Sequence, residues 1–168
     1  MKTVLLFDFL VDKENKTIKV KRSFDASLLL VWQAWTDAEI LDQWWAPHPW
    51  KATTSSMDFH EGGHWLYVMR SPDNNEAHWC LVNFRTIVRR ESFTSDNSFC
   101  NEKGEIIPDF PSNQWEIYFT GLEDETVVDV TLCFEKLEHL EQLVQMGFKE
   151  GFTMGLEQLD DWLNLQKH

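Results

Sequence analysis

Cationic charge is scarce in this sequence: 15 Lys and Arg stand against 28 Asp and Glu, for a formal net charge of -13. That balance repels a phosphate backbone and an anionic bilayer surface, so neither nucleic acid binding nor membrane insertion is expected. Cysteine is scarce too. Cys80, Cys100 and Cys133 are odd in number, far apart and form no CxxC pair, as reduced thiols of a cytoplasmic protein would be. Long hydrophobic runs are missing: the opening MKTVLLFDFL has a run of four apolar residues before Asp8, too short for a signal-peptide core or a membrane span. There is no Gly-x-Ser-x-Gly elbow, phosphate loop or dinucleotide fingerprint, which leaves hydrolase, kinase and dehydrogenase readings without an anchor and points to no cofactor. Nor is there an internal repeat, a linker or a biased segment.

What the chain does have is aromatic bulk, with nine Trp and 12 Phe among 168 residues that are 43% hydrophobic. That is enough to bury a core, and the length fits one domain spanning residues 1–168. TVLLFDFLV and TIKVKRSFDA flank the polar turn DKENK, which predicts a hairpin whose second strand alternates Ile18, Val20 and Phe24 with basic residues. SLLLVWQAW follows the cap candidates Asp25 and Ser27, and DAEILDQWW follows Asp37, so a pair of short helices is predicted before Pro47 and Pro49 stop them. From there to residue 136 the pattern predicts an antiparallel meander of five or so strands, broken at Gly62-Gly63, SPDNNE, NEKGE, DFPSN and GLEDE. Its clearest strands put Trp115, Ile117 and Phe119 on one face, and Val128, Val130, Leu132 and Phe134 on one face. In GHWLYVMRS and AHWCLVNFR both faces carry apolar residues, which leaves the register open.

A single long helical segment, about residues 137–165, remains to cover this sheet. At about 100° per residue, Leu137, Leu140, Val144, Phe148, Phe152, Leu159, Trp162 and Leu163 share one arc, and Gly147, Gly151 and Gly155 fall inside it. A glycine in a helix interior costs about 1 kcal/mol relative to alanine. Two gains could offset that cost: a close approach of helix to sheet, or volume left unfilled between them. In the second case Phe148 and Phe152 on the helix and Trp65, Tyr67, Trp79 and Trp115 on the sheet would wall an apolar concavity, the usual construction of a small-molecule site.

Residues 60–64 spell HEGGH, a literal match to the zinc-protease pattern His-Glu-x-x-His. That pattern works because a helix sets both histidines on one face. Here the glycine pair opposes a helix and the flanks TTSSMDF and WLYVM suit strands, so His60 and His64 are read as turn residues and no metal site is expected.

Three stretches in combination resemble a known family. SFDASLLLVWQAWTDAEILDQWWAP has its strand end, a helix with Val-Trp, then Trp-Thr-Asp and Trp-Trp-x-Pro; MDFHEGGHWLYVM has its Asp, Gly-Gly turn and x-Trp; GFTMGLEQLDDWL has its glycine-aromatic-x-x-glycine-leucine segment. On these, about residues 17–165 resemble the START-like superfamily, also called SRPBCC, in the branch named after the activator of the heat-shock protein 90 ATPase. The resemblance implies an α+β helix-grip fold, similar to the birch-pollen allergen: a curved antiparallel sheet wrapped around a long C-terminal helix, with two short helices after the first common strand. It also implies that the helix roofs a hydrophobic cavity of variable shape. Residues 1–16 fall outside the common pattern and are assigned an added edge strand. Such cavities commonly open at the exit of the second helix, where Trp44, Trp45 and Trp50 bracket the proline loop and either gate entry or anchor the loop.

The candidate ligand site is therefore Trp44, Trp45, Trp50, Trp65, Tyr67, Trp79, Trp115, Phe148, Gly151, Phe152 and Gly155. The leading expectation is a cytoplasmic protein that binds a small hydrophobic, aromatic molecule. The family name suggests instead a co-chaperone acting on a heat-shock protein 90 type ATPase, although there is no room here for the additional domain of the eukaryotic co-chaperones. A third class, suggested by cyclases and hydratases of related fold, is a cavity enzyme with a lone acid or base among Tyr67, His78, Arg85 and Glu116, beside a lining Cys80. No catalytic set is assigned, and both monomer and homodimer fit.

Overall fold

A computed structural model describes residues 6–167. The predicted hairpin becomes strands Phe7–Asp12 (β1) and Thr17–Phe24 (β2), antiparallel with Phe9 opposite Val20. Residues 1–5 of the expected edge segment lie outside the described residues. In β2, Ile18, Val20 and Phe24 are buried and Lys19 and Lys21 exposed, as alternation requires. Arg22 shares the face of these three despite its charge. It is buried, packs over the Phe24 ring and pairs with Asp160, whose carboxyl burial pushes above the ordinary range against the pull of the guanidinium.

Helix Leu28–Thr36 (α1) starts where Ser27 Oγ accepts from the Leu30 N–H at 3.3 Å. Helix Ala38–Trp44 (α2) starts where the Asp37 carboxylate accepts from the Glu39 N–H at 2.9 Å. Both are N-caps of the kind the sequence signals. Val31, Trp32, Ala34 and Trp35 form the buried face of α1, with Trp32 edge-on to Phe119 at 5.0 Å between ring centroids.

Six strands follow: Lys51–Met57 (β3), His64–Arg70 (β4), Ala77–Val88 (β5), Ser92–Cys100 (β6), Ser112–Gly121 (β7) and Thr126–Cys133 (β8). These six strands answer the five or so expected; the hairpin that joins β5 to β6 goes unmarked in the sequence because it turns at Arg89-Arg90-Glu91 without glycine or proline, with Arg90 at φ 65°. HEGGH is a turn, with His64 opening β4. Its Glu61 carboxylate accepts from the Ile87 N–H at 3.0 Å, beside the bulge between Phe84 and Ile87. A Cβ on Gly63 would lie 2.2 Å from the Asp58 carbonyl oxygen, so this turn closes only with glycine.

The eight strands make one sheet in the order β1-β2-β8-β7-β6-β5-β4-β3, every neighbouring pair antiparallel. α1 and α2 carry the chain from β2, near one edge, to β3 at the other. This is the helix-grip arrangement.

The C-terminal segment corrects the sequence reading. It is two helices, Leu137–Gln145 (α3) and Phe148–Leu165 (α4), separated at Gly147, whose φ of 88° breaks the helical path. A wheel drawn through the break misassigns its first half: Leu143 is buried, while Val144 is 36% and Leu137 37% exposed. In α4, Phe152, Leu156, Leu159 and Leu163 face the core.

α4 crosses the end of α2 at Gly155, where a Cβ would meet the Trp44 and Trp45 carbonyl oxygens at 3.3 and 3.4 Å. One turn on, the Gln158 amide donates to the carbonyls of Trp44 (3.0 Å) and Ala46 (2.8 Å) and accepts from the His48 N–H (2.7 Å). Gly151 has space instead: its Cβ would meet only Pro47 Cγ, at an ordinary 3.6 Å. Gly155→Leu is therefore expected to lower stability in urea unfolding by about 3 kcal/mol through overpacking. Gly151→Ala is expected to raise it by up to about 1 kcal/mol through helix propensity.

Candidate functional site

Between the α3–α4 junction, the middle of the sheet and the α2–β3 loop lies a cavity of about 370 Å³, open at one side. Of the residues expected to wall it, Trp45, Trp50, Tyr67, Trp115, Phe148, Gly151 and Phe152 do so. Trp45 is their hub. Its indole N–H donates to the Tyr67 hydroxyl at 2.9 Å, and its ring centroid lies 5.8 Å from Trp115 and 6.1 Å from Phe152. Phe148 stacks on Phe152 at 5.2 Å, so the first turn of α4 presents a double ring to the space.

The other four expected wall residues sit elsewhere. Trp44 is buried in the core, its indole N–H donating to the Ala34 carbonyl at 2.9 Å, because it is the last helical residue of α2 and points away from the loop. Trp65 stacks behind Tyr67 at 4.1 Å and donates to Thr54 Oγ1, so it borders only a separate void of about 20 Å³. Trp79 is on the far face of the sheet beneath Arg70: the register that pairs Cys80 with Tyr67 turns the neighbouring Trp79 outward. Gly155 admits a neighbouring backbone rather than a ligand, as its contacts with α2 show.

Sequence reasoning missed several walls. Leu143, Met146 and Gly147 join only because the helix breaks where it does, and Pro47 is brought in by the loop that Gln158 holds. Asn97 and Asn113 face each other across β6 and β7 and both border the cavity. Asn113 falls in DFPSN, which reads as a break, and only the opposition of the two across a strand pair could have marked them.

No Lys, Arg, Asp or Glu lines the cavity among the described residues. Burial pushes the Tyr67 phenol well above its ordinary value and the Cys80 thiol up to about 12, so both are uncharged at neutral pH. Among the acid-base candidates Tyr67 and His78 reach the cavity, His78 at the exposed mouth, stacked on Trp50 at 5.4 Å. Arg85 instead pairs with Asp96 at 3.3 Å, and Glu116 stands opposite Thr131 on the outer face. His60 contacts Asp58, and His64 Nε2 lies 2.9 Å from Ser56 Oγ; no three metal-binding side chains are grouped among the described residues.

Comparison with known proteins adds the following. Residues 25–164 match the family model described as activator of Hsp90 ATPase homolog 1-like protein. No curated protein matches the chain. A solution structure of a protein from Arthrobacter aurescens is 28% identical and superposes with a TM-score of 0.87, covering 94% of this chain and 91% of that one. Protein Ms6760 from Mycobacterium smegmatis is 25% identical, with a TM-score of 0.86 over 95% and 97% of the two chains. The AHSA1 protein from Silicibacter pomeroyi, 16% identical with a TM-score of 0.70 over 89% and 99%, shares the fold.

A thiol with a pKa near 12 holds only ~10⁻⁴ of its population as thiolate at pH 8. Iodoacetamide at pH 8, followed by peptide mass spectrometry, should leave Cys80 unmodified in the folded protein and alkylate it promptly in urea. Prompt labelling of the folded chain would show that the cavity is wetter than its walls indicate.

Proposed function

The chain belongs to the activator of Hsp90 ATPase homolog 1-like family, with its START-like, SRPBCC helix-grip fold, and from that premise we propose that it is a cytoplasmic carrier or sensor of a small hydrophobic, aromatic molecule. The observation behind this reading is the cavity of about 370 Å³ walled by Trp45, Trp50, Tyr67, Trp115, Phe148 and Phe152. That volume lies in the range of small-molecule sites, and the walls are apolar with few polar groups. Rigid aromatic walls suit a planar ligand, since rings gain from stacked and edge-on contacts beyond the area they bury. No helix among the described residues is long and apolar enough to cross a membrane.

Binding needs no moving charge and no metal in this account. The ligand replaces poorly held water against apolar walls, and the gain follows the apolar area removed from water. Contact with an Hsp90-type ATPase is the second reading, which the family description favours. The net charge of -13 would direct such a contact to a basic surface.

Native mass spectrometry of the protein purified gently from its own cells should find a small adduct above 19.9 kDa that is lost on denaturation. Gly151→Leu places a side chain in the cavity mouth and should keep the fold while abolishing the adduct and the ligand-induced quenching of Trp45, Trp50 and Trp115. An unliganded mass together with co-purification of the ATPase would favour the second reading.

A further inference from the structure

Resting on the cavity-binding reading above, we propose that Asn113 is the specificity-determining residue of the cavity, and that it selects an uncharged ring compound carrying a hydroxyl or N–H donor. The cavity walls are mostly aromatic and aliphatic, so each polar group among them must be satisfied by the protein or by what occupies the space. The Tyr67 hydroxyl oxygen already accepts from the Trp45 indole N–H at 2.9 Å. The Asn97 carbonyl oxygen is satisfied as well, accepting from Ser95 Oγ at 2.6 Å.

Asn113 differs. It borders the cavity directly opposite Asn97, and its Oδ1 is buried without a hydrogen-bond partner. The other buried side-chain atoms without partners among the described residues belong to Thr17, Arg22 and Trp35, none of which borders the cavity. A buried carbonyl left unpaired is costly, and the cost is recovered when a donor arrives. The oxygen has almost no accessible surface as it stands, so it meets a donor held among the rings when the amide turns by about 180° about Cβ–Cγ, which exchanges its oxygen and nitrogen.

The absence of charge narrows the class further. A carboxylate in the cavity would be stripped of water with no Lys or Arg beside it and His78 only at the exposed mouth, inside a chain of net charge -13. An ammonium would find no Asp or Glu there. A neutral phenol, aryl alcohol or ring N–H compound meets both conditions: its ring packs against Trp45, Trp115 and Phe152, and its donor reaches Asn113.

Equilibrium dialysis with three probes of one skeleton tests this: naphthalene, 2-naphthol and 2-naphthoate. Wild type should bind 2-naphthol about three- to tenfold more tightly than naphthalene, the worth of one net hydrogen bond, and 2-naphthoate more weakly than either. Asn113→Leu should remove or reverse the naphthol preference while still binding naphthalene. Asn113→Ala, which adds no bulk, gives the same readout should the leucine variant not fold. Equal affinity of wild type for naphthol and naphthalene, or a naphthol preference that survives both substitutions, would overturn the role of Asn113. Tight naphthoate binding would overturn the charge selection. If none of the three probes binds, the cavity-binding reading itself falls.

Discussion

The close crossing of α4 over the end of α2 is the constraint on which the site depends. Gly155 lets the two backbones approach, and Gln158 then satisfies the Trp44 and Ala46 carbonyls and the His48 N–H with one side chain. Helix C-termini leave carbonyls unpaired, and an external amide is one of the few ways to satisfy them inside a protein. The result is positional: with α2 held against α4, Trp44 is driven into the core and Trp45 into the cavity wall. Consecutive tryptophans thereby serve opposite purposes.

A cavity in a protein interior needs walls that cannot collapse into it. Here the walls brace one another. Trp35, Trp44, Trp65, Tyr67, Trp115 and Phe152 all stand within 6.4 Å of Trp45 between ring centroids, most of them edge-on. Rings locked in this way have few alternative rotamers, and the small side of the cavity is set by what Gly151 lacks. Gly147 contributes differently, because its left-handed backbone turns α3 out of the line of α4 and brings Leu143 and Met146 to the rim.

Much of the fold was legible because it rests on local signals. Ser27 and Asp37 capped their helices as their residue types suggest, and the alternation in β7 and β8 placed Trp115, Ile117, Val130 and Leu132 in the core. The turn at Arg89-Arg90-Glu91 carried no glycine or proline, so nothing local announced the hairpin there. The helix break was equally hidden: a glycine on an amphipathic face reads the same whether the backbone there is helical or left-handed. Seven of the eleven expected cavity residues line the space. Those that do not were displaced by a one-residue register choice, as at Trp79, or by hydrogen bonds to distant atoms, as at Trp44 and Trp65.

By itself, the sequence determined the classes of element, their order and the aromatic, acidic character of the chain, because helix caps, strand alternation and charge depend on neighbours within a few residues. The family resemblance carried the same information, since its motifs are themselves local. Only the tertiary structure decided what each glycine is for: a left-handed break at Gly147, an open wall at Gly151 and a backbone crossing at Gly155. It also decided that Asn113 ends beside a cavity with its carbonyl unpaired. The physical reason is common to both. The space beside a residue, and the partners available to its polar atoms, are set by elements far away in sequence, and packing alone brings them together.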